Sequence, residues 1–331
     1  MTETLHDVVG IGNAIVDVLA HADDCFLAEQ GLDKGAMTLI DDVRAEQLYG
    51  LMDTAIECSG GSAANTMAGL ASFGGKGAFV GKVRDDQLGA IFAHDIRAIG
   101  IEFNCPPARQ GPPTARSFIM VTPDAQRTMN TYLGACVELG PEDIVEATIA
   151  SAKITYLEGY LWDRPEAKDA FRKALSIAQA HGRKVALTLS DAFCVDRHRE
   201  EFRQLVADHV DILFANESEI TALYEVADFD AALQAVRLRC QFAALTRGPA
   251  GSVLVSGEEV HVIDAWPVAN PVDTTGAGDL YAAGVLFGLT HDHGLAASGR
   301  LGSLAAGEII SHYGARPETS LAELAEQSGM G

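Results

Sequence analysis

Asp279 closes the stretch Asp273-Thr274-Thr275-Gly276-Ala277-Gly278-Asp279, and the apolar run Leu280 to Leu289 follows at once. Glycines at 276 and 278 let the backbone turn sharply and come close to a ligand. The Ala/Leu/Phe-rich run carries no proline and is long enough for a buried helix. A loop that opens such a helix presents unpaired N–H groups, and the helix dipole adds partial positive charge there. That is a site for a phosphate or another oxyanion. A carboxylate beside it can take the proton from a hydroxyl during phosphoryl transfer. Acidic residues in a first turn are also ordinary caps, and Gly-rich turns are often only turns, so this stretch does not fix the chemistry alone.

Three further groups can join it. Ser59-Gly60-Gly61-Ser62-Ala63-Ala64-Asn65-Thr66 is a second Gly-rich strand-to-helix turn, where backbone and an amide side chain can approach a polyhydroxyl ligand. Asn13 and Asp17 stand at the end of a first apolar strand, and a carboxylate accepts from two vicinal hydroxyls at once. Asn216-Glu217-Ser218-Glu219 follows the apolar strand 211–215. Acids opening a helix are favoured by its dipole, and a carboxylate there also suits the water shell of Mg²⁺ on a nucleotide. Other matches fail. Gly74-Gly75-Lys76-Gly77 lacks the leading glycine and trailing Ser/Thr of a P-loop, Gly10-Ile11-Gly12 lacks the third glycine of a dinucleotide fingerprint, and His291-Asp292-His293 has no further ligands at metal spacing.

The elements that must position these groups read as α/β. The chain has 331 residues, 48% hydrophobic and 21% charged, which is a soluble globular composition. A net charge of −22 argues against nucleic acid, so an anionic ligand must be held locally by amides, a few arginines and a metal ion. Six scattered cysteines without a C-x-x-C pair predict free thiols in a cytoplasmic protein. The polar residues 1–7 predict no signal peptide, and no apolar run is long enough for a transmembrane helix. Strands are expected at 8–15, 37–40, 55–58, 78–82, 153–160, 185–189, 211–215, 243–246, 251–256 and 260–263. Helices are expected at 41–52, 67–73, 87–99, 141–151, 165–180, 197–208 and 229–240. Residues 101–133, with four prolines and alternating strands at 114–121 and 127–133, have β-hairpin character. The expectation is a mostly parallel sheet with helices on both faces, formed by about 1–16, 58–101 and 134–331, and a β-rich lid formed by about 17–57 and 102–133. Ligands on such sheets bind at the carboxyl ends of the strands.

The two signatures Gly60-Gly61-Ser62-Ala63-Ala64-Asn65 and Asp273-Thr274-Thr275-Gly276-Ala277-Gly278-Asp279, in that order and both at loop–helix junctions, resemble those of the ribokinase-like (PfkB) carbohydrate and nucleoside kinases. The likeness covers nearly the whole chain, including Asn216 to Glu219 and the turn Thr246-Arg247-Gly248. Within that family it is greatest to the adenosine kinases, on residues 10–17, Leu187-Thr188-Leu189-Ser190, residues 210–217 and Gln126-Arg127-Thr128-Met129.

The resemblance implies a three-layer α/β/α fold with a β-rich lid and ATP-dependent phosphorylation of the 5′-hydroxyl of adenosine. A ribose- or fructose-type sugar kinase and a non-catalytic nucleoside binder are the alternatives. Asp279 becomes the base, and Gly276, Ala277 and Gly278 supply the amides that hold the migrating phosphoryl group. Asp17, Gly60, Gly61 and Asn65 bind the ribose, with Asn13 and Ser62 near the base. Tyr160 and Leu161 sandwich adenine with the lid, and Arg127 reaches over the phosphates. Thr246, Arg247, Gly248, Asn216 and Glu219 serve ATP, with Glu219 reaching Mg²⁺ through water. Asp273 and the Thr275 carbonyl resemble part of a monovalent-cation (K⁺) site. The implied partners are the small-molecule substrate and ATP, with no nucleic acid and no membrane, in a monomer or homodimer. Glu158, before Gly159 and Tyr160, sets a charge where an apolar base pocket needs none.

Overall fold

The computed structural model describes residues 4–124 and 126–330. Residues 1–3, part of the polar N-terminus above, lie outside the described residues. In chain order the elements are β1 (His6–Ile11), β2 (Ile15–His21), α1 (Asp24–Glu29), β3 (Met37–Leu39), α2 (Asp42–Leu51), β4 (Ile56–Gly60), α3 (Ser62–Ser72), β5 (Gly77–Val80) and α4 (Gln87–Ala98). They continue with β6 (Ala115–Val121), β7 (Arg127–Tyr132), α5 (Glu146–Ala150), β8 (Ala152–Glu158), α6 (Pro165–Ala180), β9 (Lys184–Thr188), α7 (Ala192–Asp208), β10 (Ile212–Asn216), α8 (Glu217–Tyr224) and α9 (Phe229–Arg237). The last are β11 (Phe242–Thr246), β12 (Ser252–Ser256), β13 (Glu259–Ile263), α10 (Ala277–Thr290), α11 (Leu295–Ile309) and α12 (Leu321–Gln327).

The central sheet has eight strands in the order β13-β12-β11-β10-β9-β8-β1-β5. From β5 to β11 the pairs are parallel, and β12 and β13 close the sheet antiparallel. Alternate residues of each strand point to opposite faces, and the core divides accordingly. Val9, Ile11, Leu157, Val185, Leu187 and Leu213 pack under α6 to α9, whereas Val8, Phe79, Ile154, Tyr156, Ile212 and Phe214 pack under α3, α4 and α10. This is the three-layer α/β/α arrangement expected from the alternation of elements.

A second sheet of five strands runs β3-β7-β6-β2-β4. Helices α1 and α2 cover one of its faces through Leu27, Ala45 and Leu48 against Val18, Phe118 and Met120. The sequence reading merged β1 and β2 into one strand over 8–15. Instead the backbone leaves the central sheet at Gly12 and re-enters the second sheet at Ile15, so Asp17 belongs to the second sheet rather than to the end of the first strand. The anticipated helix over 141–151 is also broken. A 3₁₀ turn at Pro141–Asp143 is followed by the short α5, because Asp143 spends its carboxylate on the Gly140 amide and on Lys82. Helix α7 begins earlier than 197, at Ala192, and kinks at His198. The capping reading was closer: the Asp41 carboxylate accepts from the Arg44 amide at 2.8 Å.

Helix α10 packs without clearance. A Cβ on Gly284 would lie 2.5 Å from the Leu301 carbonyl, and one on Gly288 would lie 2.4 Å from the Ser298 hydroxyl. Helices α10 and α11 therefore meet backbone to backbone. On the other side Gly69 of α3 lets Leu280 and Ala283 approach equally closely.

Candidate active site

Strands β1, β8, β9, β10 and β11 all end at one edge of the central sheet, and Asn13, Glu158, Ser190, Asn216 and Thr246 stand at those ends. Above this edge the two Gly-rich loops face each other. The Ser62 hydroxyl donates to Asp279 Oδ1 at 2.6 Å, and the Asn65 amide donates to Asp279 Oδ2 at 3.3 Å. The early double-glycine turn and the late acid thus meet, as the kinase reading requires. Asn65 is 5% exposed, and its Oδ1 has no hydrogen-bond partner within the protein. A buried carbonyl left so is free to accept a hydrogen bond.

Local backbone chemistry explains the late loop. Gly276 caps α10 in a left-handed conformation with φ of 79° and offers no side chain to the helix amides. The Ala277 N–H is spent on the Thr274 carbonyl at 3.2 Å, and the Leu280 N–H closes the first turn on Gly276 at 2.8 Å. The N–H groups of Gly276, Gly278 and Asp279 then have no intrahelical acceptor. A Cβ on Gly278 would meet nothing within 4 Å, so the space above this amide is open. Of the three amides expected to hold an oxyanion, the Ala277 amide is the one already engaged.

The early loop is built differently. Gly61 has φ of 96°, and a Cβ there would strike the Asn13 carbonyl at 2.3 Å. Glu158 sits beneath it, 1% exposed. One of its oxygens accepts from the Asn13 side-chain amide at 2.6 Å, and the other accepts from the Ala63 N–H at 2.9 Å and the Asn13 N–H at 3.3 Å. The charge that seemed misplaced in a base pocket is therefore the anchor of the loop. Burial raises Glu158 to about 7, against the lowering effect of these donors. Asp17 is pushed up to about 7 by burial, with Asp279 also raising it and Arg316 and Arg127 lowering it. Asp279 is pushed up to about 6 by burial, opposed by Ser62, Asn65 and Arg316. Both aspartates lie deep among protein atoms while keeping part of their surface open to the cleft.

Arg127, on β7 of the second sheet, reaches the same place. Its Nη2 lies 2.8 Å from Asp273 Oδ2, but the N–H does not point at that oxygen, and Nε is unpartnered as well. A guanidinium 8% exposed, with Nε unpartnered and Nη2 held to Asp273 by charge alone, can also turn to an incoming anion. Asp273 also accepts from the Thr275 N–H at 3.1 Å and the Gly314 N–H at 3.3 Å. A monovalent cation at Asp273 and Thr275 has to compete with Arg127 for that charge.

Beside the late loop lies a cavity of about 510 Å³, lined by Thr246, Gly248, Trp266, Pro267, Gly278 and Tyr281 among others. Arg247 is turned away from it, bound to Glu217 at 3.0 Å and stacked 4.2 Å over the Phe229 ring. Asn216 and Glu219 form a reciprocal capping box at the start of α8, in which both Glu219 oxygens are engaged by Asn216. Burial raises Glu219 to about 7. With both oxygens engaged, this carboxylate fits Mg²⁺ contact through water rather than direct ligation. Among the described residues no three His, Cys, Asp or Glu side chains gather to ligate a metal.

Tyr160 is held by Ser190, whose hydroxyl accepts from the Tyr160 N–H at 3.2 Å and whose carbonyl accepts from the phenol at 3.3 Å. Leu161, by contrast, is 3% exposed inside the core under α6 and does not face the cleft. Sequence reasoning missed Glu158 as an anchor. It also missed Arg316, which grips the early loop. A charge closing the largely apolar strand β8 was the available signal for Glu158; Arg316 had no local pattern.

The model of the pfkB family carbohydrate kinases matches residues 39–321. The structure is similar to that of the adenosine kinase from Sinorhizobium meliloti, with 57% identity, a TM-score of 0.92 and coverage of 98% of this chain and 99% of that one. It is also similar to a probable sugar kinase from Rhizobium etli CFN 42, with 52% identity, a TM-score of 0.93 and coverage of 99% of each chain. The 5-dehydro-2-deoxygluconokinase of Geobacillus kaustophilus (strain HTA426) is 27% identical over 287 residues, 82% of this chain and 85% of that protein. No helix among the described residues is long and apolar enough to cross a membrane. With its facing glycine turns, its acid at the head of α10 and a family match over most of its length, the chain belongs to the pfkB family of carbohydrate kinases.

Proposed function

We propose that this kinase transfers the terminal phosphoryl group of ATP to the 5′-hydroxyl of adenosine. The observation that carries the reading is Asp279, held by Ser62 and Asn65 beside the uncommitted amides of Gly278 and its own backbone. In a loose phosphoryl-transfer transition state, positioning and charge neutralisation dominate, and the base takes the proton late. Asp279, pushed up to about 6, is ionised at neutral pH yet close enough to it to accept a proton. The free amides and the Arg127 nitrogens receive the phosphoryl oxygens. Asp17 and the Asn65 carbonyl oxygen are acceptors for the ribose hydroxyls, with Gly60 and Gly61 leaving them room. When bound, Mg²⁺ would neutralise charge on the ATP phosphates, and Glu219 would meet it through water. The apolar cavity beside Gly278 takes the ATP base. Closure of the second sheet over the cleft excludes water and limits hydrolysis.

Adenosine is favoured by the likeness to the Sinorhizobium meliloti adenosine kinase. The second reading is a sugar kinase, favoured by the Rhizobium and Geobacillus relatives. An ADP-release assay with adenosine, ribose and fructose separates them. Turnover of adenosine well above the sugars is expected, and sugar turnover without adenosine turnover transfers the assignment to the second reading.

A further inference from the structure

We propose that Arg316 is a positioning residue for phosphoryl transfer, part of the segment that ties the two glycine-rich loops together and a source of positive charge for Asp17 and Asp279. The proposal rests on the function given above and adds to it a residue outside both signatures.

Arg316 lies in the segment between α11 and α12, and its guanidinium makes a three-point grip on the early loop. Nε donates to the Ser59 carbonyl at 3.1 Å, Nη1 to the Ala64 carbonyl at 2.9 Å and Nη2 to the Ser59 hydroxyl at 3.1 Å. These bonds hold both ends of the turn that carries Gly60, Gly61 and Ser62. The same segment supports the late loop. The Ile310 carbonyl accepts from the Val272 N–H at 2.7 Å, the Gly314 N–H donates to Asp273, and Ala315 lies where a Cβ on Gly276 would sit 3.0 Å away. Glu308 secures the far end by accepting from the Glu318 and Thr319 amides at 3.0 and 2.8 Å. One short segment thus spans the two loops whose separation sets the distance from acceptor hydroxyl to phosphoryl group. A displacement of that distance is costly, because transfer needs the reacting atoms in near contact.

All three guanidinium bonds go to neutral oxygens, so the positive charge is left to act on the acids around it. Those are Asp17 from β2, Asp95 from α4, Asp279 from α10 and the Cys58 thiol from β4. Asp279 further faces Ser62 and Asn65 from α3, and it raises Tyr156 and Glu158 of β8, Tyr160 and Glu219 of α8. Asp17 also faces Arg127. Among the described residues, Arg316 and Arg127 lower Asp17, and Arg316 lowers Asp279.

The test measures kcat and KM against pH from 5 to 8.5 for the full chain, Arg316→Gln and Arg316→Lys, using whichever acceptor the native enzyme phosphorylates. Loss of the charge in Arg316→Gln is expected to move the acid limb of kcat/KM up by about one pH unit. It is also expected to raise the acceptor KM about tenfold, through the loosened early loop. Arg316→Lys keeps the charge but not the planar fork, so the limb stays in place while KM rises. An unmoved limb in Arg316→Gln, or a native KM in Arg316→Lys, overturns the proposal. If Arg316→Gln does not fold, Arg316→Lys decides on KM and limb together. If the native chain phosphorylates no acceptor, the proposed function fails separately. The role of Arg316 is then read from the carboxyl-carbon NMR titrations of Asp17 and Asp279, which must shift upward in Arg316→Gln.

Discussion

The two glycine-rich loops face each other across the cleft but are made rigid in opposite ways. The loop at Gly60 to Asn65 is held from several sides, by Glu158 below, by Arg316 behind, and by Asp95, whose carboxylate accepts the Ser59 N–H at 3.0 Å. The loop at Gly276 to Asp279 keeps amides free and rests on the seam between α10 and α11. In the function proposed above, one loop is a fixed frame for an acceptor. The other is a set of donors kept unspent for an anion, and electrostatic stabilisation of this kind works because the donors are already in place.

The sharpest break of this contrast is Asp279→Asn. It leaves the free amides and both anchors in place but removes the base, so kcat is expected to fall about 10³-fold. Acceptor binding, followed by calorimetry, should survive, and equal loss of both would contradict the role given to Asp279. A smaller effect is expected from Glu158→Gln on the anchored loop. Glutamine offers one acceptor oxygen where Glu158 uses two, so a buried N–H of Asn13 or Ala63 loses its partner at a cost of about 1–3 kcal/mol. Denaturant unfolding reads that cost, and steady-state kinetics should show a raised acceptor KM with kcat little changed.

The smallest effect is on the stability of the unliganded protein. Asp17, Glu158 and Glu219 at about 7 and Asp279 at about 6 all bind protons more tightly folded than unfolded. The folded state therefore holds more protons than the unfolded one between roughly pH 4 and 7, and stability falls as pH rises through that window. Acidifying from pH 8 to 6 should raise Tm by about 4 °C, most of it from the buried Glu158 and Glu219, because Asp17 and Asp279 keep some contact with water. Asp7 and Asp163, which are lowered by their ion pairs, act only in more acidic solution. A Tm that rises with pH over this interval would place the carboxylates in a wetter setting.

Much of the fold was legible because it is written locally. Apolar runs alternate with amphipathic ones, Asp41 caps α2, and the hairpin of β6 and β7 shows in its alternation. The break between β1 and β2 was not legible. The apolar character continues through Ala14 and Val16, and only the sheet to which each residue pairs changes. The candidate site was legible where its residues sit in Gly-rich loops next to helices. Arg316 was not, since its partners Ser59 and Ala64 lie at the opposite end of the chain. Glu158 misled for a related reason: a charge closing an apolar strand reads as a fault until the amides around it are seen.

The bare contact of Gly284 and Gly288 with α11 makes that seam a ruler for the Asp279 carboxylate. How high Asp279 stands above the sheet is determined turns away, by the absence of side chains. Anyone reshaping this enzyme for a bulkier phosphate donor has more freedom at Pro267, which walls the neighbouring hollow, than along the glycines or at Trp266, whose ring fills the space over Gly307 of α11.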